Sequence, residues 1–300
     1  MTKAVYVPAG GGIGDAIYDY FMRDTWQFIV PVKQAKPDIE IIAVFLSHCS
    51  SCPELVQFHP MISSVLTYPW CPPGQPREHL WKSFFGPEVK HIKDYAGQNK
   101  IRPESNPVLY LSKAEEQQAK EILEKPITVI HPFAGSRLRS FLPDNDGKNY
   151  CLPGQKCIEF CNRLANEGER VVVLGKSEVL EFGRNHDERL VGLDSKVIDL
   201  CNKTSARLSV HLTRNARAFF GTHSSMLVAA WTNDVPSLCF YPTRDRNGRV
   251  FSIEKNGGNT GTFALGKPFH DNFQMTPDEF WNLSVDTIYE RFRSVIAKKR

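Results

Sequence analysis

Hydrophobic and polar positions along this 300-residue chain repeat with two different periods. Residues 3–8 (Lys-Ala-Val-Tyr-Val-Pro) form a short apolar run, the pattern of a strand buried on both faces. Gly10, Gly11, Gly12 and Gly14 then predict a turn. Across 15–35 the apolar residues Ile17, Tyr20, Phe21, Trp26, Phe28 and Ile29 fall at helical spacing, and Pro37-Asp38 ends the run. Ile39 to Leu46 predicts a second buried strand. This β-loop-α-β opening is that of a parallel sheet with right-handed crossovers.

Residues 68–107 break the rhythm. Seven prolines from Pro69 to Pro107 interrupt any long element, with Trp70, Trp81, Phe84, Phe85 and Tyr95 between them. Such a stretch is read here in two ways: an acceptor-binding surface or an irregular packed segment. A charged amphipathic helix over 113–124 leads to Lys125-Pro126, and the β/α alternation restarts at 127–131. A helix over 153–168 and a strand over 170–174 follow, the strand ending at Gly175-Lys176. A weak strand lies at 189–193 or 197–200. Helix 205–215, strand 217–221, helix 224–232 and strand 236–240 come next, then a loop rich in Gly, Asn and Arg over 244–262. Pro277 opens a final helix over 278–298 with Phe280, Leu283, Ile288, Phe292 and Ile296 on or near one face. The expected organisation is a lobe over 1–125, a second over 126–277 and a C-terminal helix over 278–300.

Composition adds limits more than direction. The chain is 41% hydrophobic and 23% charged, ordinary for a globular protein. Its net charge of +4 permits a nucleotide, an anionic membrane surface or a nucleic acid as partner and demands none of them. Eight spread-out cysteines are too sparse for a small disulfide scaffold. With no leader pattern and no apolar run of membrane-spanning length, a cytoplasmic protein with reduced thiols is expected. Cys49 and Cys52 form a C-x-x-C beside His48, but Cys151, Cys157 and Cys161 supply no second pair at zinc spacing, so plain thiols are the expectation, with a redox pair as the other reading.

Three constellations sit where a parallel sheet binds ligands, beyond the carboxyl ends of its strands. Gly10-Gly11-Gly12-Ile13-Gly14-Asp15 follows a strand and opens a helix. A dinucleotide fingerprint needs glycine at position 15, where Asp stands instead. Asp15 is therefore either a general base in a glycine-rich cleft or a helix cap. The second constellation is His131-Pro132-Phe133-Ala134-Gly135-Ser136-Arg137-Leu138-Arg139, which is either a diphosphate loop, suited by its small residues and two guanidinium forks, or a basic surface loop. The third is Gly221-Thr222-His223-Ser224-Ser225-Met226, with hydroxyls at a helix start; His223 either meets a ligand or packs structurally.

In order and spacing these segments resemble glycosyltransferase family 9, the ADP-heptose:lipopolysaccharide heptosyltransferases. The resemblance rests on Gly14-Asp15, on His131 to Ser136, and on the strand ending at Gly175. It rests further on Leu200 to Ser205, His223 to Ala230, Val235-Pro236 and Tyr241-Pro242-Thr243. It implies a GT-B architecture: two Rossmann-like α/β lobes facing a cleft, with the C-terminal helix packing back on the first. It also implies a transferase moving a hexosyl or heptosyl group by one inverting displacement, with no metal and no cofactor beyond the nucleotide-sugar donor. Asp15 would be the base. Ser136, Arg137, Arg139, Gly175, Lys176, Thr222, His223, Ser224, Ser225 and Met226 would bind the donor. Gly12, Gly14 and His48 would face the acceptor, a glycan or lipid-linked saccharide, with peripheral membrane contact at most. His223 and Ser225 stand where the family carries Asp and Gly, so the resemblance implies a nucleotide sugar without fixing ADP-heptose. Three other readings stay open: the same chemistry on nucleic acid or protein, a sugar-nucleotide epimerase, and a non-catalytic nucleotide-sugar binder.

Overall fold

A computed structural model describes residues 2–10, 12–22, 24–46, 52–68, 85–104, 107–132, 154–175, 191–222, 224–242 and 269–299. The chain divides into two compact units, Met1–Ala114 and Glu115–Arg300. Each carries a sheet in which every described pairing is parallel.

The first unit holds β1 (Ala4–Gly10), β2 (Glu40–Leu46), β3 (Ser64–Tyr68) and β4 (Val89–His91), in the order β3-β2-β1-β4. β1 is central, and its Ala4, Val5, Tyr6 and Val7 are all buried. Pro8 is tolerated there because pairing with β4 stops at Tyr6–His91. Its carbonyl turns instead to accept from Trp26 Nε1 at 3.2 Å. The helical run expected over 15–35 is three pieces: α1 (Ile13–Met22), α2 (Asp24–Gln27) and α3 (Ile29–Ala35). Pro31 explains the break before α3. Its ring excludes a helical bond to the carbonyl of Gln27, four residues back. That carbonyl accepts from the Glu104 N–H at 2.9 Å instead. Ile17, Tyr20, Trp26 and Val32 are buried, with Tyr20 and Trp26 rings 5.2 Å apart and Trp26 and Phe45 rings 6.0 Å apart.

The region read as irregular over 68–107 contains regular structure. β4 runs straight into α4 (Ile92–Gln98), whose N-cap is His91; its imidazole accepts from the Lys93 N–H at 3.2 Å. A three-residue strand leaves no period in the sequence, and the surrounding prolines masked it. β3 was also missed. It is an edge strand with Val65 exposed, so the apolar run that marks a buried strand is absent.

The second unit opens within α5 (Lys113–Ile122) and continues through β5 (Ile127–His131), α6 (Gly154–Asn166), β6 (Arg170–Val173) and β7 (Ile198–Asp199). After these come α7 (Ala206–Arg214), β8 (Ala218–Thr222), α8 (Ser225–Trp231), β9 (Ser237–Pro242) and β10 (His270–Met275). α9 (Pro277–Asn282) and α10 (Val285–Ala297) close the unit. The strand order is β10-β9-β8-β5-β6-β7. Numbered from the start of the unit, this is the Rossmann order 3-2-1-4-5-6 read from the other edge.

Gly168 ends α6 with φ +85°, a left-handed value that favours glycine, while the Glu169 N–H returns to Leu164 at 3.0 Å. α5 is tied to its own unit by Glu115, whose carboxylate takes both Arg207 NH2 (2.8 Å) and Nε (3.0 Å). The weak strand resolves to 198–199, the second of the two expected positions. β10 was not foreseen: its alternation is obscured by His270, Asp271 and Asn272, and pairing with β9 holds it.

The single helix expected over 278–298 is two. Leu283 is extended (φ −61°, ψ 142°), and the Ser284 hydroxyl caps α10 by accepting from the Thr287 N–H at 3.1 Å. Within its own unit α10 packs on the helices and strands around the second sheet. Phe292 meets Phe160 of α6 and Phe220 of β8 with ring centroids 5.4 and 6.2 Å apart. Among the described residues no helix is long and apolar enough to cross a membrane.

Candidate functional site

The strand order of the second unit fixes where a ligand fits. β5 and β8 are neighbours, yet the chain leaves them toward opposite edges of the sheet, which makes their carboxyl ends the topological switch point at which parallel α/β sheets bind ligands. His131 ends β5 and pairs with Gly221 of β8. Gly221 is required by this approach: a Cβ there would lie 2.6 Å from the His131 carbonyl oxygen and 2.8 Å from Phe219 Cζ.

The polar atoms at this edge are unusual. Thr222 Oγ1, Ser224 Oγ and His131 Nδ1 are closed off from solvent and have no hydrogen-bond partner among the described residues. Buried polar groups in folded proteins are almost always paired, so these three leave unused hydrogen-bonding capacity at the carboxyl ends of β5 and β8; Thr128 Oγ1 on β5 and both His270 nitrogens are likewise unpaired among the described residues. Burial also pushes the His131 imidazole down to about 4, which keeps it neutral. Ser224 is the N-cap of α8 and its hydroxyl makes no capping bond.

The other expected donor residues divide. Ser225 starts α8 and is half-buried. Met226 is buried in the α7–α8 packing, where its sulfur accepts from the Thr213 hydroxyl at 3.5 Å. Gly175 lies two residues past β6, with its carbonyl accepting from the Asn202 N–H at 2.9 Å. Ser136, Arg137, Arg139, Lys176 and His223 lie outside the described residues, as does His48 of the first unit.

In the first unit Gly12, Gly14 and Asp15 stand together at the carboxyl end of β1, where α1 begins. Asp15 Oδ2 accepts from the Gly12 N–H at 2.8 Å. This is the reciprocal half of a capping box, so the cap reading of Asp15 describes a real bond. The same bond orients the carboxylate without consuming it, because the half-buried side chain has a second oxygen. The cap and base readings are therefore compatible. Among the described residues no group of three or more His, Cys, Asp or Glu side chains is placed to hold a metal ion. Cys52, Cys157, Cys161, Cys201 and Cys239 are buried free thiols.

His131 was read as part of a diphosphate loop and not as a site residue. The available signal was a polar side chain closing an otherwise apolar strand.

Two parallel sheets, the second in Rossmann order with its orphaned polar atoms at the switch point, define a two-lobed α/β fold of the GT-B class. The glycosyltransferase family 9 protein of Veillonella parvula aligns with a TM-score of 0.60 at 12% identity, covering 99% of this chain and 98% of that one. ADP-heptose lipopolysaccharide heptosyltransferase II of E. coli aligns at 0.57 with 14% identity, covering 100% and 99%. The E. coli heptosyltransferase WaaC, solved with ADP, aligns at 0.52 with 12% identity, covering 98% of each. The fold is thus that of the family 9 glycosyltransferase structures over the whole chain. No family model matches the sequence, and no curated protein does.

Proposed function

We propose that this protein is an inverting, metal-independent glycosyltransferase of family 9 type. It moves a sugar from a nucleoside-diphosphate sugar to the hydroxyl of a glycan or lipid-linked saccharide in the cytoplasm. The observation that carries this reading is the pair of buried hydroxyls, Thr222 and Ser224, at the switch point of the second sheet, which have no hydrogen-bond partner among the described residues. Leaving such a group buried and unpaired costs about 1–3 kcal/mol, a burden that a bound ligand relieves. The whole-chain likeness to a heptosyltransferase solved with ADP supports a nucleotide sugar as the ligand class.

In this mechanism the Asp15 carboxylate takes the proton of the acceptor hydroxyl. The freed oxygen attacks the anomeric carbon as the bond to the diphosphate breaks on the opposite face. The departing diphosphate keeps the electron pair and is met by Ser136, Arg137, Arg139, Ser224 and Ser225. Asp144-Asn145-Asp146 is an Asp-x-Asp run outside the described residues, so metal independence rests on the family likeness.

A thermal-shift panel of ADP-, GDP-, UDP- and CMP-sugars tests the donor. One of them is expected to raise the melting temperature, and a flat response across the panel removes the reading. Transfer unaffected by EDTA is the expected result for the metal.

A further inference from the structure

Among the described residues the two sheets end in four edge strands: β3 and β4 in the first, β10 and β7 in the second. An edge strand offers its outer N–H and C=O groups to any other strand, and proteins blunt that hazard by shortness, charge or covering contacts. Three of these edges are blunted. β4 is three residues long and β7 two. β10 is longer, but Asn272 on its outer side is occupied. The Asn272 N–H donates to Asp271 Oδ1 and its carbonyl accepts from Arg291, both at 2.8 Å.

β3 has none of these protections. The Ser63 N–H donates to the Ile41 carbonyl at 2.8 Å, so alternate residues turn their backbone toward β2, and Ser64 and Leu66 turn theirs away. Those outward groups have no partner among the described residues. The strand reads Ser-Val-Leu-Thr-Tyr, without charge, proline or glycine. Ser64 and Thr67 are exposed, as are the apolar side chains of Val65 (36%) and of Phe58 (43%) in the turn before β3. No Asp, Glu, Lys or Arg stands between Glu54 and Arg77, in a chain that is 23% charged. Exposed apolar groups with charge depleted around them are the composition of an interface core.

We propose that β3 pairs antiparallel with β3 of a second copy of this chain across a two-fold axis, joining two first-unit sheets into one. A register centred on Leu66 brings outward backbone groups together and sets Val65 opposite the partner's Thr67. Neutrality is the charge complementarity such a contact needs, because a charge at its centre would meet its own like. A second β3 is also the one unblunted edge that another copy offers among the described residues.

The test is sedimentation equilibrium of the full chain over about 1–100 μM, the range of a modest interface. Wild type is expected to dimerise. Val65→Lys and Ser64→Pro change exposed positions, and a proline at the start of an edge strand is tolerated, so both are expected to keep the wild-type melting temperature. Each is expected to weaken the dimer about tenfold, since a substitution counts twice across the axis. Adding Thr67→Glu to Val65→Lys is expected to restore it, because the new charges then face each other. If Val65→Lys fails to fold, Thr67→Lys at the other exposed position takes its place. A wild type that stays monomeric over this range overturns the proposal. Capture of that monomer by phosphatidylcholine vesicles, lost in Val65→Lys, would give the edge to a bilayer instead. A dimer that neither variant weakens lies on another surface and overturns it too.

Discussion

The carboxylate of Asp15 accepts a hydrogen bond from the backbone N–H of Gly12 at 2.8 Å, closing the first turn of α1. Cap and base are separable by substitution. Asp15→Asn keeps an oxygen for Gly12 and loses the base. Its stability is expected within about 0.5 kcal/mol of wild type, while transfer falls about 10²–10⁴-fold. Asp15→Ala loses both and melts lower by about 1 kcal/mol of stability. An Asn variant transferring at the wild-type rate would remove Asp15 from the chemistry.

Gly221 allows β8 to lie against the end of β5. In Gly221→Ala the new Cβ meets a backbone oxygen, which has little freedom to yield. A loss of about 1–3 kcal/mol is expected in urea unfolding. An unchanged midpoint would show that the strand ends have slack.

The Arg207–Glu115 pair anchors α5 to α7 and is largely buried. Arg207→Met leaves the Glu115 carboxylate without its counter-charge, the Ser205 hydroxyl still donating to it, and is expected to destabilise by about 3 kcal/mol. Adding Glu115→Gln is expected to restore much of that, since the uncompensated charge is gone. A single variant as stable as wild type, read by denaturant midpoint, would show that the pair is dispensable.

His59, His131 and His270 are each pushed down to about 4, chiefly by burial, with Asp271 partly offsetting the shift at His270. The unfolded chain takes up these protons near the ordinary value of 6.5, and the folded chain does not. Stability therefore falls as pH drops from about 6.5 towards about 4, and these groups contribute no pH dependence above about 7.5. Both His270 nitrogens are buried and unpartnered among the described residues, so His270→Phe is expected to flatten the slope. Equal denaturation midpoints at pH 7.5 and 5.0 would contradict this.

Much of the second unit was legible in sequence because its central strands are continuous apolar runs. Ile127–His131 and Ala218–Thr222 are buried along almost their whole length, which is the pattern that reads as a strand. Helices α6 and α7 were legible for a related reason: each keeps one apolar face, and each ends at a recognisable signal. The breaks at Phe28 and Leu283 were not legible, because apolar spacing continues through both. A proline ring at position 31 and a serine cap at 284 decide them, and these are local stereochemistry that a hydrophobic period does not register.

The site was legible unevenly. Asp15 stood out because a strand, a glycine turn and a helix start are consecutive in the chain. His131 lies about 90 residues before Thr222 and Ser224, and only strand order brings the ends of β5 and β8 together. That their polar atoms lack partners is a property of the surrounding atoms, invisible in residue types alone.

The sequence by itself determined the long apolar strands, the amphipathic helices and the glycine turn that carries Asp15, because each depends on residues close together in the chain. Tertiary structure decided β3, β4 and β10, whose short or exposed sequences become strands through the ladder of a neighbour, and chose between the two positions open to β7. It also decided the crossing between β5 and β8. That pairing sets His131 against Gly221, where the absence of one Cβ lets the two strand ends meet.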